Sequence, residues 1–176
     1  MRLSKRMSRA LRHDPARFGL ELDPEGWTPV DALVRGLCAP GNDVSRADVE
    51  DVVRAGSKQR FELDGDRVRA RYGHSVEGRV ELPRADPPDV LFHGTSARAA
   101  AHIVEEGLLP MGRQFVHLSP AEETARRVGA RHGRPVVFVV DAAGAAAAGV
   151  VFRHGNDDTW LADALDAAFL VRRGSP

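Results

Sequence analysis

Apolar residues recur at helical spacing early in this chain and give way to strand-like runs in its second half. Leu3, Met7, Ala10 and Leu11 form one stripe, which the Asp14-Pro15 pair ends. Gly19-Leu20-Glu21-Leu22 reads as a short extended piece. Thr28-Pro29 predicts a helix start, with Thr28 as N-cap and proline in the first position, continuing through Val30, Leu33 and Val34. Ser45 and Asp48 have the spacing of a capping box for a helix over 47–55, closed by Gly56. The runs 60–63 and 67–70 flank Asp64-Gly65, a hairpin signal. Three helices and a hairpin are the pattern of a winged helix-turn-helix, a module that binds nucleic acid or serves as a protein scaffold.

Gly78 to Asp89 breaks the periodicity with Pro83, Pro87 and Pro88 among charged residues. We therefore divide the chain into a lobe over 1–82, a linker over 83–89 and a second lobe over 90–176. The second lobe alternates strands and helices. A strand over 90–93 precedes a helix from Ser96 to Glu106 that Gly107 stops. The run around His117 leads through Ser119-Pro120 into a helix over 122–128. Val136–Val140, Val150–Phe152 and Ala168–Val171 read as strands, and Ala142–Ala148 as a short alanine-rich helix.

Two of these runs carry chemistry. Leu91-Phe92-His93-Gly94-Thr95 and Phe115-Val116-His117-Leu118-Ser119 each deliver an imidazole and a hydroxyl on a strand. Side by side they predict a cleft of imidazole, hydroxyl and bare amides, with Gly94 admitting a ligand close to the backbone.

Charge sharpens the picture only locally. Lys+Arg and Asp+Glu both number 25, but residues 1–20 hold six basic side chains against one acid, Asp14. A basic face on a neutral chain points to a local anionic partner. Arg12-His13, Arg60 and Arg131-His132-Gly133-Arg134 are three basic spots, and Arg71-Tyr72-Gly73-His74-Ser75 adds a fourth segment. Arginine suits phosphate because its planar fork donates paired hydrogen bonds and keeps its charge. Cys38 is the only cysteine, which excludes an internal disulfide and a cysteine-rich zinc site; between Leu37 and Ala39 it reads as a small buried hydrophobe. No apolar run approaches membrane-spanning length and no signal-peptide core is present, so a soluble, cytoplasmic protein is expected. Walker A, Gly-x-Gly-x-x-Gly, His-Glu-x-x-His and nucleophile-elbow patterns are all missing.

Taken in order, these motifs resemble the NAD+-dependent RNA (tRNA) 2′-phosphotransferases. The resemblance runs from Leu3-Ser4-Lys5 and Leu11-Arg12-His13-Asp14-Pro15 through Gly26-Trp27 and Lys58-Gln59-Arg60-Phe61. It continues through Gly73-His74-Ser75, His93-Gly94-Thr95, Met111-x-Arg113, Val116-His117-Leu118-Ser119 and Val128-Gly129-x-Arg131-His132-Gly133. It implies an α+β chain, with a winged-helix-like N-terminal lobe followed by an ADP-ribosyltransferase-like mixed α/β lobe. It also implies a metal-free reaction that consumes NAD+ and acts on RNA carrying a 2′-phosphate; a monomer is the default expectation. On the matching positions, Arg12, His13 and Arg60 would grip the 2′-phosphate, with His13 also moving a proton. Arg131 would reach the transferring phosphate or the NAD+ side. His93, Gly94 and Thr95 would engage ribose and nicotinamide, His117 and Ser119 would line the same cleft, and Arg113 and Asn156 would complete the cofactor contacts.

The chain departs from the family pattern at Asn156–Ala162, where one residue is added before Trp160 and a proline-rich element gives way to Asp163-Ala164-Leu165-Asp166. It departs again at Gln114-Phe115, and at Phe92 where tyrosine is common. Two other readings stand beside the first: an ADP-ribosyltransferase that stops on terminal phosphates of RNA or DNA, and a non-catalytic winged-helix nucleic-acid binder.

Overall fold

The structure, a computed structural model, describes residues 3–56 and 59–173. Lys58 of the motifs above lies outside the described residues, as does the side chain of His132. By contact density the chain divides into two units, Met1–Leu82 and Pro83–Pro176.

In the first unit the apolar stripe becomes α1 (Leu3–Arg12), which buries Met7, Ala10 and Leu11. The 20–22 stretch forms no strand. Thr28 is not a helix cap. It belongs to a two-residue strand, β1 (Thr28–Pro29), and the helix α2 (Val30–Leu37) starts one residue after Pro29. The Thr-Pro pair mimics a helix start, but extended backbone here lets Thr28 pair with Val68. The Ser45–Asp48 capping box forms at the start of α3 (Arg46–Arg54). The hairpin β2 (Phe61–Asp64) and β3 (Arg67–Ala70) also forms, with Gly65-Asp66 as its loop, because Asp64 pairs with Arg67. Gly65 takes φ +57°, which glycine tolerates best. The antiparallel sheet runs β1-β3-β2, and Met7, Leu11, Leu33, Leu37, Val49, Phe61 and Val68 fill the space between it and the helices.

In the second unit β4 (Val90–Ser96) is longer than the sequence suggests. His93 therefore sits mid-strand opposite Phe138, not at a strand end. Ser96 caps α4 (Ala97–Glu106) by accepting from the Ala99 amide. There follow β5 (Val116–Leu118), α5 (Glu122–Gly129), β6 (Pro135–Asp141), α6 (Ala142–Ala147), β7 (Phe152–Asn156), β8 (Thr159–Ala162) and β9 (Leu170–Arg172). The 150–152 strand is thus displaced toward its C-terminal side, and the stretch around Trp160 is a strand rather than a loop. Asp157-Asp158 turns between β7 and β8, with a bulge between His154 and Asn156. Two antiparallel sheets result, β4-β6-β9 and β5-β8-β7. The architecture is mixed α/β with small antiparallel sheets and six α-helices among the described residues, compatible with the α+β class.

Cys38 is exposed, contrary to the reading of it as a buried hydrophobe, because it follows α2 at the rim of the core. Gly94 also has a different reason from the expected one. A Cβ there would lie 1.7 Å from the Ala125 carbonyl oxygen, and one at Gly129 would lie 2.7 Å from the Thr95 oxygen. The two glycines let α5 press its backbone onto β4, so the close neighbour is the protein's own helix. Gly94→Ala is expected to cost about 3 kcal/mol or more, since backbone rather than a mobile side chain must retreat. An unchanged urea unfolding midpoint for the variant would show that α5 yields freely.

Candidate functional site

In the first unit the predicted basic residues converge at the C-terminal end of α1. Arg12 is only 9% exposed. Its Nη2 donates to the Arg60 carbonyl at 3.2 Å, and its guanidinium carbon lies 4.9 Å from the Tyr72 ring centroid and 5.7 Å from that of Phe61. A carbonyl and two ring faces thus offset part of the cost of burying the charge and hold the fork in one orientation.

The segment 71–75 closes over this end of α1. Gly73 has φ +86°, and a Cβ on it would lie 3.4 Å from Arg12 Nη1, so glycine suits the position on both counts. The Ser75 amide donates to the Arg12 carbonyl at 2.8 Å, and Ser75 Oγ shares a 2.8 Å hydrogen bond with His13 Nδ1. That bond holds the ring of the exposed His13 through Nδ1. Arg60 enters β2 half-buried, and its guanidinium has no carboxylate or hydrogen-bond partner among the described residues. Its carbonyl accepts from both Arg12 and the Arg71 amide, the latter at 3.0 Å. Arg12, His13 and the Arg60 backbone thus meet at one end of α1, and the nearby acids Asp14 and Glu62 are engaged by Arg9, Arg69 and Arg71, an arrangement that suits a phosphate dianion.

Between Gly73 and Ser75 lies a residue that sequence reasoning quoted but gave no role. His74 is 1% exposed, and neither ring nitrogen has a hydrogen-bond partner. Burial, together with the charges of Arg12, His13 and Arg69, pushes its pKa down to about 4, so the ring is neutral at pH 7. Nothing in the sequence pattern separates it from a surface histidine.

In the second unit the two histidine runs do come together. Phe92 and Ser119 exchange backbone hydrogen bonds of 2.8 Å in both directions, and His93 Nδ1 donates to the His117 carbonyl at 3.0 Å. That bond assigns the proton to Nδ1 and leaves Nε2 as an acceptor. Burial holds the His93 pKa below its usual value, only partly countered by this hydrogen bond, so the ring is a neutral acceptor. Alternation along β4 puts His93 and Thr95 on one face and Gly94 on the other, against α5. His117 Nδ1 donates to the Phe115 carbonyl at 3.1 Å, and Ser119 is buried.

Arg113 and Arg131 are exposed and lack ion-pair partners among the described residues. Asn156 is buried in β7, where its Oδ1 accepts from the Asp158 amide at 3.0 Å and shapes the β7–β8 turn. The departures from the family pattern prove linked through a side chain the sequence reading missed. Arg153 is buried, pairs with Asp163 at 3.1 Å, and lies 4.5 Å over the Phe115 ring. Phe115 and Asp163 are two of the departures, and one guanidinium joins them.

Compared with known proteins, the chain falls in a class of phosphotransferases: a family model described as "RNA 2'-phosphotransferase, Tpt1 / KptA family" matches residues 1–164. A Streptomyces griseus protein named a probable RNA 2′-phosphotransferase is 48% identical over 99% of this chain and 97% of its own length. Proteins of the same name from Streptomyces coelicolor (46%, over 97% and 93%) and Acetivibrio thermocellus (42%, over 96% and 94%) are similar throughout. The chain belongs to the RNA 2′-phosphotransferase, Tpt1 / KptA family. No helix among the described residues is long and apolar enough to cross a membrane.

Proposed function

We propose that this protein removes an internal 2′-phosphate from RNA at the expense of NAD+. The products would be 2′-hydroxyl RNA, nicotinamide and ADP-ribose 1″,2″-cyclic phosphate, formed through a 2′-phospho-ADP-ribosylated RNA. The first unit acts as a winged-helix-like phosphate-binding lobe and the second as an ADP-ribosyltransferase-like lobe. The observation that carries this reading is the clustering of Arg12, His13 and Arg60 at the end of α1, in a chain matched by the family model over residues 1–164.

The donor set of the second unit fits a dinucleotide. His93 Nε2 is a neutral acceptor suited to a ribose hydroxyl, Thr95 shares its face, and Ser119 lies next to it in the bridge. Arg113 and Arg131 supply guanidinium groups free to meet a pyrophosphate. Gly94 contributes by admitting α5 beneath the strand, and Asn156 by holding the turn that follows β7. NAD+ would supply an electrophilic anomeric carbon with a good leaving group.

The chain's own residues do positioning and electrostatic work. Arg12, fixed by the Arg60 carbonyl and its aromatic contacts, orients the 2′-phosphate, and Arg60 stabilises charge that develops on its oxygens. His13, held through Nδ1 by Ser75, moves a proton at Nε2.

The test is an oligonucleotide with one internal 2′-phosphate, incubated with the full chain and NAD+. Loss of the phosphate with ADP-ribose 1″,2″-cyclic phosphate formed is the expected result. Stalled ADP-ribosylated RNA would favour a transferase that stops after one step, and bound but unchanged RNA would favour a nucleic-acid binder.

A further inference from the structure

Four arginines crowd one end of the β4–β6 ladder. Ser96 pairs with Pro135 there, and the Ala97 amide donates to the Arg134 carbonyl at 3.1 Å, so Arg98 and Arg134 leave neighbouring backbone. Arg127 lies in the last turn of α5, and Arg131 follows four residues later in the short 3₁₀ turn. Gly129, between them, packs against Thr95, which brings both to the same end of β4.

All four side chains are exposed, and none has an ion-pair partner among the described residues. Elsewhere in this unit Arg126 and Arg173 pair with Glu122, and Arg153 pairs with Asp163. The sequence around the cluster explains the contrast, since no acid occurs from Leu91 to Val104 or from Thr124 to Val140. Adjacent like charges repel, and nothing in the fold neutralises these, so the array favours a ligand carrying several negative charges. A dinucleotide offers one pyrophosphate, whereas a nucleic-acid strand offers a phosphate at every residue.

We propose that Arg98, Arg127 and Arg134, extending from Arg131, form a docking surface on the second unit for the sugar-phosphate backbone of an RNA strand. This rests on the reading of the protein as an RNA 2′-phosphotransferase. The surface holds the strand without reading its bases, since phosphate contacts position rather than specify.

The test uses Arg98→Gln/Arg134→Gln in the full chain. Fluorescence anisotropy with an unphosphorylated RNA strand of about twenty nucleotides measures docking independently of turnover. Binding is expected to weaken roughly tenfold at moderate salt, and the slope of log K against log salt to fall by about 1.4 for two lost contacts. Turnover of a minimal dinucleotide substrate and KM for NAD+ should stay unchanged. Wild-type affinity for the strand in the variant overturns the proposal. A raised KM for NAD+ with strand binding intact also overturns it, assigning the cluster to the dinucleotide instead. Equal losses on strand, dinucleotide and NAD+ would mark a structural role and overturn it too. If wild type binds the strand through these arginines but turns over no 2′-phosphate, the parent reading fails and the docking surface stands.

Discussion

Replacing Arg60 with alanine is expected to slow 2′-phosphate removal by roughly 10²–10³-fold, with ADP-ribosylated RNA accumulating. The prediction depends on which part of Arg60 does what. Its carbonyl accepts from Arg12 Nη2 and from the Arg71 amide, and so helps assemble the cluster. Its guanidinium has no protein partner among the described residues and is available to the phosphate. Alanine keeps the carbonyl and deletes the guanidinium, which separates chemistry from folding. The step most exposed to that loss is the one in which charge builds on the phosphate oxygens as the RNA 2′-oxygen leaves. Single-turnover reactions resolved on a gel would show the adduct directly. Arg60→Lys should recover only part of the rate, because it restores charge without the fork. Normal turnover by Arg60→Ala would remove Arg60 from the phosphate site.

The second large effect concerns acid stability. Unfolded, His74 titrates near 6.5; folded, it is depressed to about 4 by burial and by Arg12 of α1, His13 just after it and Arg69 of β3. Between those values the unfolded chain binds a proton that the folded chain does not. Stability therefore falls as pH drops from 6.5 and levels off below 4, with a total loss of about 3 kcal/mol from this group. Because both ring nitrogens already lack partners, His74→Leu sacrifices no hydrogen bond. Urea unfolding of wild type and His74→Leu across this range should show the variant losing less stability toward acid, with stability at pH 7 equal or higher. The same acid limb in both proteins would rule His74 out as its source. The site would feel the change as well, since His74 lies between Gly73, packed on Arg12, and Ser75, bonded to His13.

Much of this was legible before any coordinates. Ser45 with Asp48 specifies its capping box locally, and the 60–70 hairpin announces itself by alternation around a glycine turn. The stripe Leu3-Met7-Ala10-Leu11 identifies both a helix and its buried face. Where local signals were ambiguous, the reading failed. Thr28-Pro29 fits a helix start as well as a short strand, and only pairing with Val68 decides between them. The stretch Thr159–Ala162 was not read as a strand, because its pairing with β5 is remote in sequence and the bulge before Asn156 breaks the alternation of its hairpin with β7.

The sequence by itself determined which residue types were available: arginines and a histidine near α1, two imidazole-bearing strands, one family's order of motifs. Tertiary structure alone decided how they act. Arg12 became a buried, oriented fork because Arg60, Phe61 and Tyr72 fold around it from distant positions. The His93 strand, first legible as a ligand-facing element with Gly94 as its opening, turned out to use that glycine to seat α5. His74 became a neutral, depressed imidazole through burial, a property that depends on surroundings rather than on the residue. Spacing encodes periodic local order, whereas desolvation, charge proximity and close backbone approach arise only when remote segments meet.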